Sequence, residues 1–177
     1  MKTSLILLAH DKAARTTLRT GNQSVDNFFH NLASQLDKDN QVRTYVLETN
    51  PDGRLVGFFA TNMTVLERQL LPRNFVKKGL PNAEIPLLRL CYIGISEEFQ
   101  GQGLGHKLLG LVLFHTREVS RITGCAGIIL DVVEEGRTEK IRWYQSVGFE
   151  LLAGSDHTMV LSIRTVLRTL EDAEKGG

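Results

Sequence analysis

The 177-residue chain is short of several things, and each shortage removes a class of protein. It has only two cysteines, Cys91 and Cys125, thirty-four positions apart with no histidine or second cysteine at ligand spacing. That argues against a disulfide scaffold and against a zinc site, so no metal is expected and both thiols read as small buried hydrophobes. No apolar run nears the ~20 residues that cross a bilayer; the longest, at residues 5–9 and 108–114, are short. Met1-Lys2-Thr3-Ser4 and the brief apolar stretch behind it make no signal-peptide core. The expected location is therefore the cytoplasm, without a membrane partner. An excess of either charge is missing as well: 21 Lys plus Arg against 20 Asp plus Glu leave +1. This excludes a chain-wide basic field for nucleic acid, so any polyanion has to be met by a local patch.

What remains is average for a globular protein, 42% hydrophobic and 23% charged. The length suits one domain over residues 1–177. Residues 5–9 read as a strand and residues 11–20 as a short helix. Ser24 can cap a second helix, in which Val25, Phe28, Phe29, Leu32 and Leu36 recur at helical spacing. Strands are expected over residues 44–47 and 55–61, joined by the turn Asn50-Pro51-Asp52-Gly53. Residues 63–85 lose periodicity and read as a helix and loop excursion. A central strand over residues 87–95, a long helix from Leu104 to Val119, a buried strand over residues 127–133 and a helix over residues 138–146 follow. Residues 157–163 close the sheet and residues 164–174 form a terminal helix. The order is that of an α+β fold around a mixed sheet.

One stretch carries chemistry. Between a strand and a helix stands Gln100-Gly101-Gln102-Gly103-Leu104-Gly105. Glycines at alternate positions let the main chain approach phosphate oxygens while the helix start aims free N–H groups there; read from the residues alone, this is an anion site or a structural turn. A Walker loop is excluded because His106-Lys107-Leu108 follows Gly105, and a dinucleotide fingerprint because the third glycine is misplaced.

The spacing Gln100-x-x-Gly103-x-Gly105 resembles the acetyl-CoA signature of the GCN5-related N-acetyltransferase (GNAT) superfamily. Trp143-Tyr144-Gln145-Ser146-Val147-Gly148-Phe149 resembles its aromatic-Tyr-x-x-x-Gly-Phe motif. Within the superfamily, Gly21-Asn22 with Val25-Asp26-x-Phe28-Phe29, Arg43-Thr44-Tyr45-Val46-Leu47 and Met159-Val160-Leu161-Ser162-Ile163-Arg164-Thr165-Val166 are similar to tRNA-acetylating toxins of bacterial toxin–antitoxin pairs. The chain departs from those toxins in having Leu18-Arg19-Thr20-Gly21 for Phe-x-Cys-Gly and Ile93-Gly94-Ile95-Ser96 for Leu-Ala-Val-Asp.

The resemblance implies a mixed, mostly antiparallel sheet of six to seven strands with helices on both faces. It implies acetyl-CoA as co-substrate, with its pantetheine arm along Ile93, Gly94 and Ile95 and its pyrophosphate on the loop Gln100, Gly101, Gln102, Gly103, Leu104, Gly105 and His106. Tyr144 is the implied general acid, donating to the departing thiolate. The acceptor is a primary amine, in first place the α-amine of aminoacyl-tRNA, with a cognate antitoxin and a homodimer as further partners. A small-molecule amine or a protein N-terminus is the alternative acceptor, and a CoA-binding module without catalysis the alternative class. No general base is evident; Glu97, Glu98, Glu134 and Glu135 lie near the ends of the central strands. Arg68, Arg73, Lys77, Lys78 and Arg89 meet only Glu67 and Glu84 in their stretch and form the candidate polyanion patch.

Overall fold

A computed structural model describes residues 2–7, 15–75, 84–134 and 136–175. Its strands are β1 (Thr3–Leu7), β2 (Arg43–Thr49), β3 (Leu55–Glu67), β4 (Glu84–Ile95), β5 (Gly127–Asp131), β6 (Glu150–Leu151) and β7 (Thr158–Ser162). Its helices are α1 (residues 23–38, whose middle turn Phe28–Leu32 is a π-helix), α2 (Leu104–Ile122), α3 (Arg137–Val147) and α4 (Ile163–Lys175). The seven-stranded sheet has the order β1-β2-β3-β4-β5-β7-β6. β4 and β5 run parallel, whereas β1–β2, β2–β3, β5–β7 and β6–β7 are antiparallel. This is the mixed-sheet α+β fold expected from the sequence. The chain divides into two compact units, Met1–Asn62 with Cys91–Leu111 and Met63–Leu90 with Val112–Gly177.

In the first unit the core gathers Leu18, Val25, Phe28, Phe29, Ala33, Val42, Val46, Phe58 and Ala60. Phe28 and Phe29, though adjacent, are both buried on the widened π-turn. Phe28 stacks on Tyr92 at 3.8 Å and Phe29 on Phe58 at 4.2 Å, contacts of about 0.5–1.5 kcal/mol each beyond area burial. Asp37 ties the end of α1 to β2, accepting from Thr44 N at 2.8 Å and Arg43 Nη1 at 2.6 Å. The helix cap falls two residues before the expected Ser24: Asn22 Oδ1 accepts from the amides of Ser24 and Val25, both at 3.1 Å.

In the second unit Leu71, Phe75, Ile85, Leu87, Ile129, Leu152 and Val160 form the core. A side chain at Gly127 would meet Leu161 O at 2.2 Å and Phe75 Cε1 at 2.8 Å, so a glycine lets β5 and β7 close over that ring. The expected helical excursion after residue 62 is corrected over its described residues: β3 continues to Glu67, Arg68–Leu70 turns as a 3-10 helix, and residues 76–83 lie outside the described residues. The reason is that Met63 and Val65 alternate on an exposed face, which hides the strand's period-two pattern from a search for buried residues. β5 ends at Asp131, two residues earlier than expected. Residues 18–20, placed in a helix by the sequence reading, are irregular, and residues 11–14 of that helix lie outside the described residues.

Candidate active site

The first unit holds the glycine loop. β4 ends at Ile95, and the chain is then tied down by its own backbone, Ser96 N donating to Val56 O at 2.8 Å and Glu97 N to Arg19 O at 2.7 Å. Phe99, 6% exposed, plugs the turn, and the Arg54 guanidinium lies 5.1 Å from its ring while pairing with Glu98. Gln100 braces the loop from within: its Nε2 donates to Thr20 O at 2.9 Å and Ile95 O at 3.0 Å. Gly101 and Gly103 have φ of +74° and +76°, a region that costs other residues about 1–2 kcal/mol. Nothing lies within 4 Å of where their side chains would begin. Conformation rather than packing therefore demands glycine, and the backbone amides stay reachable. Gln102 and His106 are exposed, Leu104 and Gly105 half-buried, and the first turn of α2 holds no acid. The loop can accept an anion.

Upstream, Gly94 is needed for a close crossing, since a side chain there would meet Thr20 Cγ2 at 2.6 Å. Ile93 and Ile95 flank it, half-buried on β4. Beside this crossing lies a polar cleft of about 490 Å³ that the sequence reading missed, lined by Arg19, Gly21, Gln23, Asp26, Asn27, His30, Asn31 and Glu97. Asp26 Oδ1 is committed to Thr20, accepting from its N at 2.8 Å and its Oγ1 at 2.7 Å. Only the fold brings residue 97 to residues 19–31, which is why spacing gave no signal.

The second unit holds Tyr144. Its motif is a helix-ending device: Gly148, at φ +105°, sends its N–H to Gln145 O at 2.9 Å, and Phe149 N reaches back to Tyr144 O at 3.2 Å. These are the two bonds of a Schellman motif, and its accompanying apolar contact is the edge-on packing of Tyr144 and Phe149 at 5.4 Å. Trp143 packs on the same ring at 4.7 Å. Burial pushes the Tyr144 hydroxyl up to about 12. Such a phenol keeps its proton at any physiological pH and so stays able to donate a hydrogen bond.

The candidate cations are dispersed in character. Arg73 is exposed, Arg68 half-buried, and Arg89 is ion-paired with Asp131. Lys77 and Lys78 lie outside the described residues, as does Glu135. Of the remaining acids considered as bases, Glu98 is paired with Arg54, Glu97 lines the cleft and Glu134 is exposed. Among the described residues no group of three His, Cys, Asp or Glu could hold a metal ion, and no helix is long and apolar enough to cross a membrane.

Residues 40–151 match the acetyltransferase (GNAT) domain family. This chain belongs to the GNAT acetyltransferases. Among GNAT relatives, the probable toxin TacT of Sinorhizobium fredii (strain NBRC 101917 / NGR234) is 30% identical over 161 residues, 89% of this chain and 87% of the relative. A crystal structure described as a bacterial toxin shares the fold with a TM-score of 0.83 at 21% identity, covering 96% of both chains. AtaT complexed with acetyl-methionyl-tRNAfMet aligns with a TM-score of 0.79 at 21% identity, covering 94% of this chain and 98% of that one. A mutant AtaT bound to acetyl-CoA and the C-terminus of the antitoxin AtaR aligns at 0.75 and 18% identity, covering 93% and 95%. The protein is thus an acetyltransferase of the GNAT type.

Proposed function

We propose that this GNAT acetyltransferase moves acetyl from acetyl-CoA to the α-amine of an aminoacyl-tRNA, and so blocks translation as the toxin of a toxin–antitoxin pair in the cytoplasm. The observation that carries this reading is the similarity to TacT along 89% of the chain. It is supported by a neighbour of the same fold that holds an acetylated aminoacyl-tRNA, the kind of product such a transfer leaves. A cognate antitoxin and a second copy of the chain are the protein partners in this proposal.

The residues fit acetyl-CoA. A doubly ionised pyrophosphate suits exposed amides at Gly101 and Gly103, where open space surrounds both left-handed turns, with Gly105 and His106 completing the helix start. Ile93, Gly94 and Ile95 offer main-chain groups for the amide-bearing pantetheine arm. Gln100 shapes the loop, and Gln102 and Leu104 border it. When bound, acetyl-CoA supplies an activated acyl carbon on a thioester. Tyr144 then donates a hydrogen bond to the sulfur as the carbon–sulfur bond breaks. A thiol near ~8.5 is a stronger acid than this phenol, so the proton is shared with the departing thiolate and not surrendered. The acceptor must arrive neutral. An α-ammonium near ~7.7–8.0 is partly deprotonated at pH 7, whereas a lysine at ~10.4 is charged by more than three log units.

The polar cleft favours a second reading, a small-molecule amine as acceptor, because Glu97 and Arg19 carry opposite charges into a space of that size. Transfer of labelled acetyl from acetyl-CoA to charged tRNA, small amines and peptides in parallel separates the two. Label in the tRNA pool, with growth arrest on expression, supports the toxin. Turnover on small amines or peptide N-termini alone overturns it, and stoichiometric acetyl-CoA binding without any turnover leaves a binding module.

A further inference from the structure

The polar cleft of the first unit holds two opposite charges that the protein itself leaves unmatched. Arg19 and Glu97 both line it, and both are exposed. Their main chains are joined, Glu97 N donating to Arg19 O at 2.7 Å. No ion pair links the two side chains, however, and neither the guanidinium nor the carboxylate has a protein partner among the described residues. Elsewhere in this unit such groups are spent on each other, Arg43 on Asp37 and Arg54 on Glu98.

The local fold gives the carboxylate its own seat. Gly21 lies at φ +80°, and Glu97 Oε1 sits 2.9 Å from where a side chain at that position would begin, so only a bare glycine leaves the space that Glu97 occupies. The other polar groups of the cleft are engaged. Asp26 Oδ1 accepts from Thr20, His30 Nε2 lies 2.6 Å from the Leu18 carbonyl oxygen, and Asn31 Nδ2 donates to Asn27 Oδ1 at 2.9 Å. That leaves Glu97 and Arg19 as the charged groups free to meet a ligand.

The cleft shares a wall with the path to the glycine loop. Glu97 belongs to the turn that joins Ile95 to Gln100, and Gln100 Nε2 bonds both Ile95 O and Thr20 O. Thr20, held by Asp26, is the residue that crosses β4 at Gly94. Each of these contacts lies within the first unit.

We propose that this cleft binds a molecule carrying a primary amine and, a few bonds away, an anionic group, with the amine on the Glu97 carboxylate and the anion on the Arg19 guanidinium. The inference rests on the amine acetylation set out above and names the place where its acceptor docks. A carboxylate accepts N–H bonds from an amine in either protonation state, so a neutral amine held in this way keeps its lone pair unengaged. The planar fork of a guanidinium suits carboxylate and phosphate alike. A polyamine is disfavoured, because its second ammonium would meet Arg19. Two sources share the favoured chemistry. In a free α-amino acid the anion is the carboxylate; in an aminoacyl nucleotide the carboxyl is esterified and the anion is a phosphate. A cleft of about 490 Å³ falls within the range of small-molecule sites, roughly 300–1,000 Å³, and admits either.

The test is equilibrium binding by calorimetry to wild type, Glu97→Gln and Arg19→Gln, each loaded with CoA so that no acetyl group is transferred. The probes are alanine, alanine methyl ester, N-acetylalanine and 3′-alanylamido-3′-deoxyadenosine 5′-monophosphate. Losing one charge-assisted hydrogen bond should cost about tenfold in affinity. Glu97→Gln should therefore weaken every probe with a free amine and spare N-acetylalanine, whereas Arg19→Gln should weaken every probe with an anion and spare the methyl ester. Both variants keep the Glu97 N to Arg19 O bond, so thermal midpoints should stay at the wild-type value. Equal binding of alanine and the nucleotide conjugate supports the site and assigns it to free amino acids; binding of the conjugate with little of alanine supports it and assigns the anion to the nucleotide. Absence of binding by either of these two probes overturns the proposal, as does a uniform weakening of all probes in both variants, the mark of a structural defect. Amine acetylation whose acceptor KM ignores both substitutions sinks this inference alone. A wild-type protein that binds the probes and acetylates no amine sinks the parent reading and leaves the site.

Discussion

Two glycine-bearing motifs, one in each unit, use the same backbone freedom for opposite ends. Gly101 and Gly103 turn left-handed in open space, so their conformation leaves N–H groups exposed for a ligand. Gly148 turns left-handed with Thr165 Cγ2 3.2 Å from where its side chain would begin, and its N–H is spent inside the protein at Gln145 O. The first motif keeps its amides available. The second consumes them to fix one aromatic ring. A family motif rich in glycine is thus two different devices, and perturbing each should move a different kinetic constant.

The largest separation is expected from Tyr144→Phe. Losing the donor should lower kcat by about 10²–10⁴-fold, as removal of an acid–base group typically does. The KM for acetyl-CoA should barely change, because the glycine loop is untouched. Equal changes in kcat and KM, measured by initial rates, would argue that the ring is only a packing element. The same substitution has a stability signature at high pH. The native hydroxyl, pushed up to about 12 by burial, holds its proton where the unfolded chain near ~10 has released it. Wild-type stability therefore falls as pH rises from about 10 toward about 12, by up to about 3 kcal/mol. Urea unfolding of wild type and Tyr144→Phe at pH 9 and 11 should show the phenylalanine variant gaining relative to wild type at the higher pH.

Gly148→Ala comes next. The left-handed conformation costs an alanine about 1–2 kcal/mol, and the Thr165 methyl must yield as well. For a chain of this size that amounts to several degrees in Tm. Because the helix end holds Tyr144 against Phe149, kcat should drop by about tenfold along with stability. A variant that loses Tm and keeps kcat breaks the link between the Schellman motif and catalysis.

What the sequence made legible follows the same division. Tyr144, Gly148 and Phe149 stand close along the chain, so their helix-end chemistry is written in spacing, and so is the alternation from Gly101 to Gly105. Long-range or weakly patterned features were not legible. Asn22 caps α1 although Ser24 was the better-placed candidate, because the chain leaves its extended conformation two residues earlier. The end of β3 carries no buried alternation in sequence because Met63 and Val65 face outward. Arg89 stood in the cationic patch by composition, yet Asp131, forty-two positions on, takes its charge.

The smallest and most discriminating effect is expected from Gly103→Ala. Open space around the position leaves only backbone strain, about 1 kcal/mol, so the thermal midpoint should fall by about 2–4 °C. If the amides of this loop meet the pyrophosphate, the strain relaxes by turning them away, and the KM for acetyl-CoA should rise about fivefold at unchanged kcat. Gly148→Ala should show the reverse, kcat falling at nearly constant KM. Because both variants place the same alanine in the same backbone region, intrinsic strain cancels between them and only the use made of each motif remains. Matching effects of the two on both constants would show that the glycines serve the fold alone.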